Sequence, residues 1–153
     1  MVRKAVCIFA VGVLLTGCAS VPMANQERDA KRKDFDSPPE GEAGLYIFRD
    51  STFGSALKKD IWVDGKCLGQ SAPLVYFYTT VEGDKEHRLS TESEFSPNDL
   101  ELYTEAGENY FIRQAIKLGV VVGGAKLDSV GRNEGRAAVE ELDLAEEGTC
   151  SSS

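Results

Sequence analysis

The chain has 153 residues, 25 of them acidic and 17 basic, a formal net charge of −8 and a hydrophobic fraction of 42%. That length gives one domain of ordinary size with a leader and a tail, and it leaves no room for a second folded domain. The acidity makes nucleic acid and anionic lipid headgroups poor partners for the surface.

Arg3 and Lys4 form a short basic start, and residues 5–15 are an apolar run too short to cross a bilayer as a permanent helix. The run ends in Leu15-Thr16-Gly17-Cys18. This order resembles a lipobox, the cleavage and lipid-attachment signal of bacterial lipoproteins. By that likeness residues 1–17 are a signal peptide cut between Gly17 and Cys18, and Cys18 carries diacylglycerol and acyl chains of the palmitate type. The alternatives are a plain signal peptide or a core segment that happens to hold a cysteine. A chain lipidated in this way is anchored to a membrane and does not span it, and each buried methylene holds it by about 0.8 kcal/mol. Ala19 follows, where Asp is the usual inner-membrane retention signal. The expected location is the bacterial envelope, on the outer membrane facing the periplasm.

Loss of the leader removes Arg3 and Lys4 and leaves 15 basic residues against 25 acidic ones. It also removes Cys7, and Cys18 is taken by lipid, so Cys67 and Cys150 remain. Two thiols in an oxidising compartment predict a disulfide, with two free cysteines as the alternative.

Residues 18–43 are poor in apolar side chains and hold many charges and the pair Pro38-Pro39, the composition of a flexible, lipidated tether averaging roughly 25 to 30 Å end to end. Lys31-Arg32-Lys33 is flanked by Asp29, Asp34 and Asp36 and reads as part of that solvated linker. Residues 44–49 (Gly-Leu-Tyr-Ile-Phe-Arg) predict a buried first strand, and residues 51–59 a loop. Asp64-Gly65 between Ile61-Trp62-Val63 and Lys66-Cys67-Leu68 predicts a two-residue hairpin pairing Val63 with Lys66, Trp62 with Cys67 and Ile61 with Leu68.

Residues 75–81 predict the next strand, which residues 82–85 turn back into 86–91 as a second hairpin. Residues 96–99 separate this from a third hairpin, 100–104 with 109–117, turned at 105–108. Val120-Val121-Val122, a glycine bend at 123–124 and residues 125–130 complete the β part. Asn133 is placed to cap a helix running to about Leu144, with Ala138, Leu142 and Ala145 on one face and Gly148 as its stop. Its outer face carries Glu140, Glu141, Glu146 and Glu147, read as a solvated surface. The expected fold is therefore an antiparallel β-sandwich of about seven or eight strands over residues 44–148 with one C-terminal helix, then a polar tail over 149–153. For Cys150 to reach Cys67, the helix has to pack on the face of Trp62 and Cys67. The bridge would close a loop of roughly 80 residues and contribute about 4 kcal/mol.

Leu45-Tyr46-Ile47-Phe48-Arg49, Ile61-Trp62-Val63-Asp64-Gly65-Lys66, residues 100–110 with Ala106-Gly107-Glu108-Asn109-Tyr110, and Lys126-Leu127-Asp128 together resemble a family of small bacterial lipoproteins built on a β-sandwich domain of unknown function. The likeness covers nearly the whole domain. The family usually reads Pro-Gly before the return strand of its second hairpin, where this chain has Glu82-Gly83. The resemblance implies location and fold and brings no activity with it.

No reaction is dictated by the remaining residues. His87 is the single histidine and predicts a solvent-facing strand position; no metal-ligand spacing surrounds it. A calcium site at Asp60 and Asp64 lacks a loop of alternating oxygen ligands, and neither a Gly-x-Ser-x-Gly elbow nor a phosphate-binding glycine loop occurs. Tyr76 and Tyr78 alternate with Phe77 and offer a platform for a sugar or peptide, against the plainer reading of a packed strand. The reading is a non-enzymatic binding or assembly module without cofactor or metal, partnered by the membrane and by another envelope protein. The alternative is a small glycan- or peptide-binding receptor, or an envelope enzyme with a pocket among its end loops.

Overall fold

A computed structural model describes residues 20–93, 98–119 and 123–151. The leader with Gly17 and Cys18, Ser96-Pro97 and Val120-Val121-Val122 lie outside the described residues. Nine strands among those residues form two sheets: β1 (Glu42–Arg49), β2 (Lys59–Val63), β3 (Lys66–Ser71), β4 (Val75–Glu82), β5 (Lys85–Thr91), β6 (Asn98–Thr104), β7 (Asn109–Lys117), β8 (Gly124–Val130) and β9 (Asp143–Leu144). Two short helices, α1 (Gln26–Arg32) and α2 (Arg132–Glu140), accompany them. The five-stranded sheet runs β8-β7-β1-β4-β9 and the four-stranded sheet β3-β2-β5-β6, so the expected β-sandwich is the fold.

Alternation sorts the strands into two apolar layers. Leu45, Ile47, Phe77 and Ile112 of the larger sheet meet Ile61, Val63, Leu68 and Leu89 of the smaller one. On its other face the larger sheet presents Tyr46, Phe48, Tyr76 and Phe111, which Val139, Leu142 and Leu144 cover. A strand buried on both faces needs apolar residues in succession, which is why residues 43–48 read as one unbroken run. Gly135 lets α2 come this close: a Cβ there would lie 2.2 Å from Phe111 Cβ. Gly135→Ala should cost about 1–3 kcal/mol despite the better helix propensity of alanine, read as a lower denaturation midpoint with an unchanged slope.

The Asp64-Gly65 turn has positive φ at both residues (50° and 76°), and it pairs Val63 with Lys66 and Trp62 with Cys67 as expected. One step further the register shifts: Ile61 pairs with Gly69, leaving Leu68 as the extra residue of a bulge.

The second and third hairpins are corrected. β4 and β6 pass into β5 and β7 across the sandwich, because each turn bonds to β1 or its approach and closes no ladder of its own. Gly83 N–H donates to Gly41 O (2.8 Å) and Gly107 N–H to Glu42 O (2.7 Å). The ladders are instead β5 with β6 and β7 with β8, and β1 and β7 run parallel.

The C-terminal helix is also shorter than expected. It starts after Gly131 with no side-chain cap and ends at Glu140, and Leu144 enters β9 beside Tyr76. It lies against β7 and β1, not on the face of Trp62 and Cys67.

The largest correction concerns the tether. Val21 packs against the inter-sheet core, Met23 bridges Ala145, and α1 is fixed to the outer face of the larger sheet. Asn25 caps α1 by accepting from Arg28 N–H at 2.9 Å. Asp29 accepts from Tyr76 OH (2.8 Å) and from Leu144 N–H (3.0 Å), and Tyr46 OH donates to Arg32 O (2.9 Å). Phe35, the one aromatic of the stretch, sits 5.3 Å from the Tyr46 ring. The charges read as solvated are thus anchors: Lys33 pairs with Asp29 at 2.8 Å, and the Arg32 guanidinium lies 4.0 Å over Tyr78.

Candidate functional site

The sandwich opens on the side where β3 and β4 are edge-ward neighbours in opposite sheets. β9 covers only Val75 and Tyr76 of β4, so the rest of that edge faces a cleft of about 390 Å³. Val63, Leu68 and Val81 give it apolar walls, Thr79 and Thr80 a polar floor, and Lys66, Lys85, Glu82 and Glu147 a charged rim. The rim charges are exposed. Lys85 and Glu82 pair at 2.7 Å, which holds the Glu82 carboxyl below and the Lys85 ammonium above their ordinary values.

His87 closes one end of the cleft, and the expectation of a solvent-facing residue is wrong: it is 3% exposed. Its Nδ1 lies 2.6 Å from Asp64 Oδ2 and its Nε2 lies 2.8 Å from Glu82 O. Both partners are acceptors, so neither ring nitrogen is left for a substrate. Asp64 reaches back from the hairpin turn and also accepts from Arg88 N–H at 2.9 Å. Desolvation pushes the Asp64 carboxyl up, but the His87 and Arg88 hydrogen bonds and the charges of His87 and Lys85 outweigh it and hold the group below its ordinary 3.8. A carboxyl depressed on folding stabilises only while ionised, so its contribution is present above the unfolded value and lost as the pH falls through the folded one. The wild type should therefore exceed Asp64→Asn in stability at about pH 7, with the gap closing below pH 4, measured by urea unfolding across that range.

Beyond Glu147 of the rim the C-terminal tail runs on along β3. Cys67 and Cys150 are joined by a disulfide, as the compartment argument predicts. The tail is not loose: Gly148 N–H donates to Leu68 O (3.0 Å), and Ser151 donates through N–H (2.8 Å) and Oγ (3.0 Å) to Asp60 Oδ2. Asp60 is fully buried beneath it and also accepts from Gln70 Nε2 at 2.9 Å. Asp60 and Asp64 thus serve separate places, and among the described residues no three His, Cys, Asp or Glu side chains are grouped to hold a metal ion.

Tyr76 and Tyr78 lie on the face opposite Phe77, as alternation requires. They form no open platform, since Tyr76 is sealed under α1 and Tyr78 lies half-buried beneath Arg32. Burial raises both phenols, and the Asp29 carboxylate raises Tyr76 further. The burial of His87 had a signal in the sequence, because it shares parity with inward Leu89. The roles of Asp60 and Glu82 had none, because their partners are remote in the chain.

A family model described as "Protein of unknown function (DUF2846)" matches residues 39–125. An "Uncharacterized protein" of Haemophilus influenzae (strain ATCC 51907 / DSM 11121 / KW20 / Rd) is 53% identical over 138 residues, covering 90% of this chain and 82% of the relative. No solved structure matches the chain.

Proposed function

The chain belongs to this family of proteins of unknown function, and from that premise we propose that it is a non-enzymatic binding or assembly module, held in the bacterial envelope by lipid on Cys18. The disulfide between Cys67 and Cys150 carries the reading, because such a bond supports an oxidising compartment and the Leu15-Thr16-Gly17-Cys18 signal supplies the route there. Residue 19 favours the outer membrane, facing the periplasm, and the partner is another envelope protein. His87, with both nitrogens engaged, supports a structural role over acid-base catalysis. The sealed Tyr76 counts against a glycan receptor built on the tyrosines.

The packed segment after residue 20 changes how such a module sits. Val21 is already docked on the core, and three Cα steps from Cys18 reach only about 11 Å. The domain then lies against the headgroups instead of standing off on a long tether. Metabolic labelling with palmitate followed by fractionation tests this reading. The wild type should be labelled and sediment with the outer membrane, Cys18→Ala should be unlabelled and leave the membrane fraction, and Ala19→Asp should shift to the inner membrane. An unlabelled, cytoplasmic wild type with free thiols at Cys67 and Cys150 overturns it.

A further inference from the structure

Main-chain groups of β4 alternate between two directions. Gly83 N–H bonds Gly41 O, and Val81, Thr79 and Phe77 lie opposite Ala43, Leu45 and Ile47, so odd-numbered residues bond β1 and even-numbered ones point to the opposite edge. β9 takes the start of that edge, with Asp143 N–H on Leu74 O (3.3 Å) and Ala145 N–H on Tyr76 O (2.8 Å). The chain then turns away to Pro22 and β3. At the far end Glu82 O is taken by His87 and Thr104. Between them the N–H and C=O groups of Tyr78 and Thr80 have no partner among the described residues.

This open edge is recessed. On its inner side lies the cleft walled by Val63, Leu68 and Val81, and on its outer side a second cleft of about 450 Å³, floored by Tyr78 and lined by Arg28, Arg32, Glu146 and Glu147, the last of which borders both clefts. Arg28 is paired with Glu146 at 3.0 Å, whereas Arg32 is stacked on Tyr78 and bonds no acidic side chain among the described residues.

We propose that the β4 edge at Tyr78 and Thr80 docks one extended strand of a partner polypeptide, with an apolar side chain entering the inner cleft and a neighbouring acidic side chain facing Arg32. Successive side chains of an added strand point to opposite faces, so clefts on both sides of one edge suit a strand whose residues alternate in character. β9 demonstrates that this edge accepts a strand, since it already pairs there in parallel. The recess selects a single strand over a second copy, because β3 on one side and α1 on the other keep two such edges apart. Arg28 takes Glu146 of that cleft, and Arg32, which ion-pairs with no carboxylate among the described residues, selects the acid. The inference rests on the binding-module reading and is independent of the lipid.

The test pans the full chain, purified from cells, against displayed random peptides of about seven residues, the usual length of a strand. Enriched sequences should share a period of two, apolar alternating with Asp or Glu. A synthetic peptide of that pattern should slow amide exchange at Tyr78 and Thr80. Thr80→Pro removes an edge donor that the β1 ladder does not use, and should weaken binding about tenfold or more. Its melting curve is compared with the wild type, and Arg32→Glu, on the exposed helix, is the second variant: it should weaken acidic peptides and select basic ones. Absence of enrichment, peptides without the period, or protection elsewhere overturns the proposal. So does a concentration-dependent dimer that protects Tyr78 and Thr80 without peptide. Loss of peptide binding with palmitate labelling intact removes the docking edge alone, and the reverse result removes the anchor alone.

Discussion

Cys150→Ser should lower the melting temperature by roughly 10–20 °C, the largest single effect we expect from any substitution outside the apolar core. The bridge spans a sequence separation of 83 residues. Closing a loop of that size restricts the unfolded chain by about 4–5 kcal/mol on the chain-entropy model, a large share of the 5–15 kcal/mol that domains typically possess. A second contribution comes from the folded state. Without the bridge the tail is held only by the Gly148 bond to Leu68 and by the Ser151 bonds to Asp60. If the tail lifts, Asp60 loses two donors to its buried Oδ2, and Glu147 leaves the rim of the cleft. Cys67→Ser should match Cys150→Ser, the double variant should be no worse than either, and reductant should bring the wild type to the same melt. A shift under about 3 °C in all of them would show that the unfolded chain is not restricted by this bond and that the tail is dispensable.

The same tail illustrates how far the residues alone could be read. The pairing of Cys67 with Cys150 followed from compartment and elimination, and the register of Trp62 with Cys67 followed from Asp64-Gly65, a signal contained in two residues. The bulge at Leu68 has no such signal, and neither does the route of the tail. Turns at residues 82–85 and 105–108 carry the same chemistry whether their strands stay in one sheet or change sheets. What decides is Gly83 and Gly107 bonding to residues 41 and 42, more than 40 positions away in the chain. The stretch from Val21 to Phe35 was misread for a different reason. Composition counts its charges as solvated, but Asp29 bonds a tyrosine and a strand amide, Arg32 stacks on a ring, and Val21, Ala24 and Phe35 supply the apolar contacts. The cleft is made by these misread parts. Its outer neighbour needs α1, its rim needs Glu147 held by the tail, and its end needs a buried His87, so its legibility depended on long-range contacts that no short window contains.

Arg49→Met should destabilise the domain by about 3–5 kcal/mol and free the loop at residues 51–58. Arg49 ends β1 on the parity of Leu45 and Ile47, so its side chain enters the space between the sheets, and it is fully buried. Its guanidinium donates from Nη1 to Leu57 O (2.7 Å) and from Nη2 to Phe53 O (3.0 Å) and Gly54 O (2.8 Å). Burial lowers its pKa, yet a guanidinium keeps its proton in proteins, so a cation sits inside the fold with three carbonyl dipoles aimed at it. Methionine matches the stem and removes every donor, which leaves those carbonyls facing an apolar side chain. Arg49→Lys separates charge from shape: one ammonium retains the cation but cannot reproduce a fork that reaches two sides of the loop, so it should recover less than half of the loss. Nε, which has no partner among the described residues, sets the size of the effect, because its desolvation already offsets part of what the fork contributes. If that offset dominates, Arg49→Met will be neutral or stabilising, as replacement of buried ionic groups by apolar ones sometimes is, and the loop carbonyls must then find water. Urea unfolding with amide exchange at residues 53–58 decides between the two: a lower midpoint with faster exchange fits the fork as the fastening of the loop, and an unchanged midpoint with wild-type protection excludes it.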